Sequence, residues 1–194
     1  SAQEVSLRMI AFISAYCGFQ EIIQKDKRFN KLLLNQIWLH AQRIPATIIY
    51  ARAQNNNHLL SDALGMMFAG AFFEILPIGK RWLKSGWNIF TQTLQSQIQV
   101  NGTYVQQSMN YHRLMLTEVL WFSKIANLTA QNIPQNSIQT IQAAITWLGP
   151  FLQTTHGNTP NLGHNDGSML FPLTISNYED YRPIYEACRT IFYN

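Results

Sequence analysis

Charge is scarce in this chain: 12% of its residues are Asp, Glu, Lys or Arg, against 47% apolar and 12% aromatic residues. That balance excludes a disordered charged tail, which needs many charges and few aromatics. It leaves a surface made polar mainly by amides and hydroxyls, which suits sugars. The formal charge of +4 is scattered. Its one cluster, Lys25, Lys27, Arg28 and Lys31, reads as a solvated helix start, so no nucleic-acid partner is expected. Cysteine is nearly missing. Cys17 and Cys188 match no metal or redox spacing and read as buried thiols more readily than as a disulfide. The histidines, His40, His58, His112, His156 and His164, show no HxxxH, HExxH or Cys-paired pattern, so neither a metal nor another cofactor is expected. No apolar run reaches the ~18 residues of a membrane span. No signal peptide is visible, and the chain opens on Ser-Ala-Gln without Met, which reads as a fragment or a processed form. Repeats, low-complexity segments and long linkers are also lacking, so one domain spanning residues 1–194 is the expectation.

What is present has helical period. Val5, Met9, Phe12, Ile13 and Tyr16 predict a first helix that ends at Gly18. From Arg28 a second apolar run passes Pro45, which is able to kink it or divide it. After Asn55-Asn56-Asn57, a stripe of Leu60, Leu64, Met67, Phe68, Ala71 and Phe72 predicts an N-capped helix, in which Gly65 and Gly70 point to close helix approach. Leu76-Pro77 begins another, with Trp82, Ile89, Phe90 and Leu94 inward. Asn101-Gly102 is a turn, and Ser108 caps a helix from about Met109 to Ala130. Pro134 starts a helix that Gly149-Pro150 ends, and the last runs from about Tyr178 to Phe192. Seven or so helices on short connections, without a strand pair, predict an all-α antiparallel helical array.

Three polar islands interrupt this scaffold and suggest one shared cleft. Asn57 and His58 open an apolar helix, where free N–H groups and the positive end of the dipole favour an anion. The bland alternative is that one Asn caps the helix and His58 packs on Leu59. Tyr111, His112 and Arg113 enter on the first turn of their own helix. There a nearby cation would favour the phenolate and make proton transfer feasible, although a half-buried amphipathic Tyr fits the same pattern. Asn161 to Ser168 has the composition of a tight turn, with Gly163 and Gly167 supplying positive φ and Asp166 capping locally.

Taken together, NNNHLLSDALGMMFAGAFF, KRWLKSGWNIFTQTLQSQIQVNGTYVQQSMNYHRLML, NLGHNDGSMLFPLT and YRPIYEA resemble the heparinase II/III-like polysaccharide lyases over nearly the whole chain. The resemblance implies part of an alpha/alpha toroid, followed in the family by a C-terminal β-sandwich region that this chain lacks. It implies cleavage of a uronate-containing acidic glycan by β-elimination, and a periplasmic or cell-surface setting. It carries Asn57 over as the group that neutralises the sugar carboxylate, and Tyr111 as the group that transfers protons. His58, His112, Arg113, Asn165 and Asp166 are carried over as substrate-binding residues. Relatives draw a further histidine from sequence beyond a point like Asn194. Departures bear on substrate class: Asn101 stands where Asp is frequent, Gln106 where Glu is, and His164 where small or acidic residues are commoner. A non-catalytic helical module that binds glycan or protein is the second reading. A glycoside hydrolase ranks last, because it needs two facing carboxylates and the islands hold only Asp62, Glu118 and Asp166 nearby.

Overall fold

The computed structural model describes residues 2–172 and 174–193. Among them the chain forms eight α-helices and one short 3-10 turn, with no strand beyond an isolated antiparallel bridge between Ile98 and Tyr104. The fold is all-α, as the periodicity predicted. The helices are α1 (Ala2–Gly18), α2 (Gln20–Ile23), α3 (Lys27–Gln54), α4 (Asn57–Phe72), α5 (Pro77–Gln97), α6 (Met109–Leu128), α7 (Gln135–Leu148) and α8 (Arg182–Phe192), with the 3-10 turn at Gly149–Phe151. Two compact units divide the chain, Ser1–Phe90 and Thr91–Asn194.

Side-chain caps set the starts of α3, α4 and α6. The Asp26 carboxylate accepts from the Arg28 and Phe29 amides at 2.9 and 3.0 Å and starts α3. The Lys25, Lys27, Arg28 and Lys31 cluster around it is exposed, as a solvated helix start should be. That helix runs through Pro45 without a break. Burial of Ile37, Ala41, Ile44 and Ala51 on both sides of the proline holds its two halves in one element, and this outweighs one missing backbone donor. Asn55, left-handed at φ 45°, closes α3, and Asn56 opens α4 by accepting from the His58 amide at 3.0 Å. The last helix starts at Arg182, four residues later than the pattern suggests. Asp180 accepts from the Arg182 amide at 3.0 Å, and Pro183 sits in the first turn.

In the first unit α1, α3 and α4 pack on one another. Met9, Ile10, Ile37, Ile44, Leu60, Leu64 and Met67 form the core, and α4 is buried almost all round. Gly65 and Gly70 are the contact points. A Cβ on Gly65 would lie 2.7 Å from the Ser6 Cβ, and one on Gly70 would lie 2.4 Å from the Leu83 backbone nitrogen. Cys17 on α1 is exposed and Cys188 on α8 is buried, both as free thiols, so burial holds for only one of the two cysteines. Burial pushes the Cys188 thiol up to about 12.

The first unit also buries a carboxylate. Asp62 is fully inside, with one oxygen accepting from Ser6 Oγ at 2.8 Å and the other without a partner among the described residues. Burial raises its pKa from 3.8 to about 6, although the Ser6 bond opposes that shift. A carboxyl that holds its proton more tightly when folded contributes most below the unfolded pKa and loses that contribution as pH rises through the folded one. Over this window, from about pH 4 to about pH 6, the group's effect on stability falls by roughly 3 kcal/mol. Urea unfolding of wild type and Asp62→Asn across that range is expected to show this component of the slope in wild type alone.

In the second unit α6 is the central helix, buried from Met109 to Val119 except at Tyr111, with α8 packed against both α6 and α7. Ile141, Ile145 and Leu148 of α7 and Ile184, Cys188 and Phe192 of α8 supply the facing core.

Candidate functional site

In the first unit the Asn-rich island divides its labour. Asn56 is the N-cap, and Asn57 is the first residue of α4, at 4% exposure. His58 is half-buried, and loss of solvent holds its imidazole below the usual range. The local reading of a capped helix therefore describes Asn56, with Asn57 placed at the dipole's positive end.

The second unit brings the other two islands together. Ser108 Oγ accepts from the Tyr111 amide at 3.2 Å, capping α6. Ser108 Oγ also donates to the His164 carbonyl at 2.5 Å, and the Met109 amide donates to the Leu162 carbonyl at 3.0 Å. These bonds lay the 161–168 loop across the start of α6. Gly163 permits the approach: its φ is +73°, and an added Cβ would sit 2.0 Å from the Gln107 carbonyl oxygen. Gly163→Ala is expected to cost about 1–3 kcal/mol of stability, because a left-handed non-glycine residue adds strain to that clash. Tryptophan-monitored urea unfolding checks this.

That docking creates a polar network of short bonds. The Tyr111 hydroxyl donates to Asp166 Oδ2 at 3.0 Å. Asn110 Nδ2 donates to Asp166 Oδ1 at 3.0 Å and to Ser168 Oγ at 2.9 Å, and the Ser168 amide donates to Asp166 Oδ1 at 3.0 Å. The Tyr178 hydroxyl lies 2.7 Å from both Asn110 Oδ1 and Asn165 Oδ1. Asn165 closes its own loop, donating to Asn161 Oδ1 and accepting from the Gly167 amide, each at 3.0 Å. Its side chain and that of Asp166 remain exposed.

Electrostatics inside the network run opposite to the expectation for Tyr111. Partial burial, the hydrogen bond to Asp166 and that residue's charge all raise the phenol's pKa, so the protonated form is favoured. For Asp166 burial acts upward, but the bonds from Ser168 and Tyr111 outweigh it and hold the carboxyl below its usual range. The expected cation beside the phenol points elsewhere. Arg113 is buried, donates to Asn110 Oδ1 at 2.9 Å and to the Tyr178 carbonyl, and stacks between the rings of Tyr178 and Tyr181 at 4.1 and 4.5 Å. It fastens the 178–181 segment to α6.

His112 turns inward too. It is 1% exposed, its Nε2 bonds the Ala144 carbonyl at 3.0 Å, and its ring lies 4.7 Å from that of Trp147. Burial lowers its pKa to about 4, so it is neutral at physiological pH and belongs to the packing of α6 on α7 rather than to the surface. Beside it a pocket of about 310 Å³ is lined by residues that include Gln106, Ser108, Trp147 and Leu162.

Reading the sequence missed Asn110, Tyr178, Tyr181 and Ser168 as members of one constellation. Asn110 had a signal, because it directly precedes the Tyr-His-Arg triplet; the tyrosines read only as the start of the last helix. Among the described residues no group of three or more His, Cys, Asp or Glu side chains is placed to hold a metal ion, and no helix is long and apolar enough to cross a membrane.

A family model described as Heparinase II/III N-terminus matches residues 2–193. A heparin-sulfate lyase of Bacteroides stercoris is 26% identical over 124 residues, covering 61% of this chain and 18% of that protein. Another heparin-sulfate lyase, from Bacteroides thetaiotaomicron, is 22% identical over 161 residues, covering 79% of this chain and 23% of that protein. The chain thus spans about a fifth of the length of these relatives. No solved structure matches it.

Proposed function

The chain belongs to the Heparinase II/III N-terminus family, and from that membership we propose that it is the helical region of a polysaccharide lyase that cleaves a uronate-containing acidic glycan by β-elimination. The reaction removes a proton α to the sugar carboxylate, and the carbanion is prohibitive unless that carboxylate is neutralised. Asn57, at the N-terminal end of α4, is assigned that task with His58 beside it. Tyr111 is assigned the proton transferred to the departing glycosidic oxygen. Exposed Asn165 takes part in holding the sugar, while Arg113 and His112 act through the elements they brace. A further histidine and a β-sandwich region from sequence after this stretch complete the enzyme in this reading.

One observation carries the proposal. Along residues 108–119 every side chain is buried except that of Tyr111, so family membership coincides with a single half-buried phenol that keeps some access to solvent at a helix start. A second reading, a non-catalytic glycan-binding module, draws on the burial of Asn57 at 4% exposure, which restricts direct contact with a sugar. Incubating the full-length protein with heparin-type and other uronate polymers separates the two. Elimination produces unsaturated sugar ends that absorb in the ultraviolet, whereas binding without that signal favours the module.

A further inference from the structure

We infer that Asp166 is a positioning residue: held by Asn110 and Ser168, its carboxylate orients the Tyr111 hydroxyl proton and makes the phenol harder to ionise. This deepens the lyase reading of the same site and rests on it for the catalytic consequence, though not for the phenol's own titration.

The geometry gives Asp166 a protein-facing role. One oxygen accepts the hydrogen bond from the Tyr111 hydroxyl at 3.0 Å; the other accepts from Asn110 Nδ2 and the Ser168 amide, each at 3.0 Å. Asn110 is 1% exposed and is itself held by Arg113 and Tyr178, so the anchor does not depend on solvent. A carboxylate held in its ionised form repels a uronate, which argues against a direct sugar contact for this side chain and for an action through Tyr111.

Three neighbours of this network have partners of their own. Arg113 is committed to Asn110 and Tyr178, His164 offers its backbone carbonyl to Ser108, and Tyr178 is bonded to Asn110 and Asn165. Partial burial raises the phenol's pKa, and Asp166 adds to that, because an adjacent hydrogen-bonded anion disfavours the phenolate. In the transfer the Tyr111 O–H bond breaks and the departing sugar oxygen gains that proton. The phenolate left beside Asp166 is disfavoured and takes a proton back from water. The α-proton of the sugar must then go to a different base, which returns it to solvent and so balances the proton the phenol regains.

Tyrosine labelled with carbon-13 at Cζ lets each phenol be titrated by NMR, with the Tyr111 signal assigned from its loss in Tyr111→Phe. In Asp166→Asn the Tyr111 midpoint is expected to move to lower pH, and in Asp166→Glu it is expected to return toward wild type. An unmoved midpoint in a folded Asp166→Asn protein, or an equal shift in both variants, overturns the inference. In full-length enzyme the alkaline limb of the kcat profile should follow the same shift in Asp166→Asn, because the acid form is the one used. A limb that stays put while the NMR midpoint moves refutes the catalytic part. If the wild-type enzyme shows no lyase activity, the lyase reading falls and the titration result still decides the positioning of the phenol.

Discussion

Tyr111→Phe is expected to lower the elimination rate of the full-length enzyme on its uronate polymer by about 10²–10⁴-fold, the range of a positioned acid–base group. The substitution keeps the ring and deletes one hydroxyl. That hydroxyl makes an exposed 3.0 Å bond to Asp166, so the folded protein loses about 1 kcal/mol or less. Thermal melting should stay near wild type while turnover collapses, which separates a chemical loss from an unfolded one. The fall should appear in kcat and kcat/KM together, because the proton moves only in the transition state. Retention of most of the wild-type activity by a folded Tyr111→Phe enzyme would remove the acid role from this residue.

Asn57→Ala is expected to cost about 10²–10³-fold in kcat, the usual loss for one preorganised donor facing developing negative charge. Asn56, not Asn57, caps α4, so the helix start survives the change. Asn57→Asp should be worse than Asn57→Ala, since a carboxylate there would repel the sugar's own. Initial rates on the same polymer, with circular dichroism as the control for folding, check both. Equal activity in the two variants would show that charge at this position is irrelevant to the reaction.

The residues differ in how far the chain alone could place them. Asn56 and Ser108 were readable as caps because a cap joins a side chain to an amide two or three residues on. The core face of α5 was readable for a similar reason, since Trp82, Ile89, Phe90 and Leu94 recur at the helical period and are buried. The Tyr-His-Arg triplet was misleading as a unit. Successive residues on a helix point about 100° apart at 3.6 residues per turn, so Tyr111 faces out while His112 turns to α7 and Arg113 to Tyr178 and Tyr181. No local pattern says which of the three stays at the surface; the neighbours packed around α6 do.

On its own the amino-acid order determined the all-α class, most helix ends and the family, because these rest on short-range hydrogen bonding, on periodicity and on residue patterns that survive divergence. Only the tertiary structure decided that Asp166, 55 positions away, accepts the Tyr111 hydroxyl's hydrogen bond and that Asn110 joins Tyr178 to the same network across 68 positions. Such partners are chosen where the loop and α8 come to rest against α6, and that is settled by burial and shape rather than by neighbours along the chain.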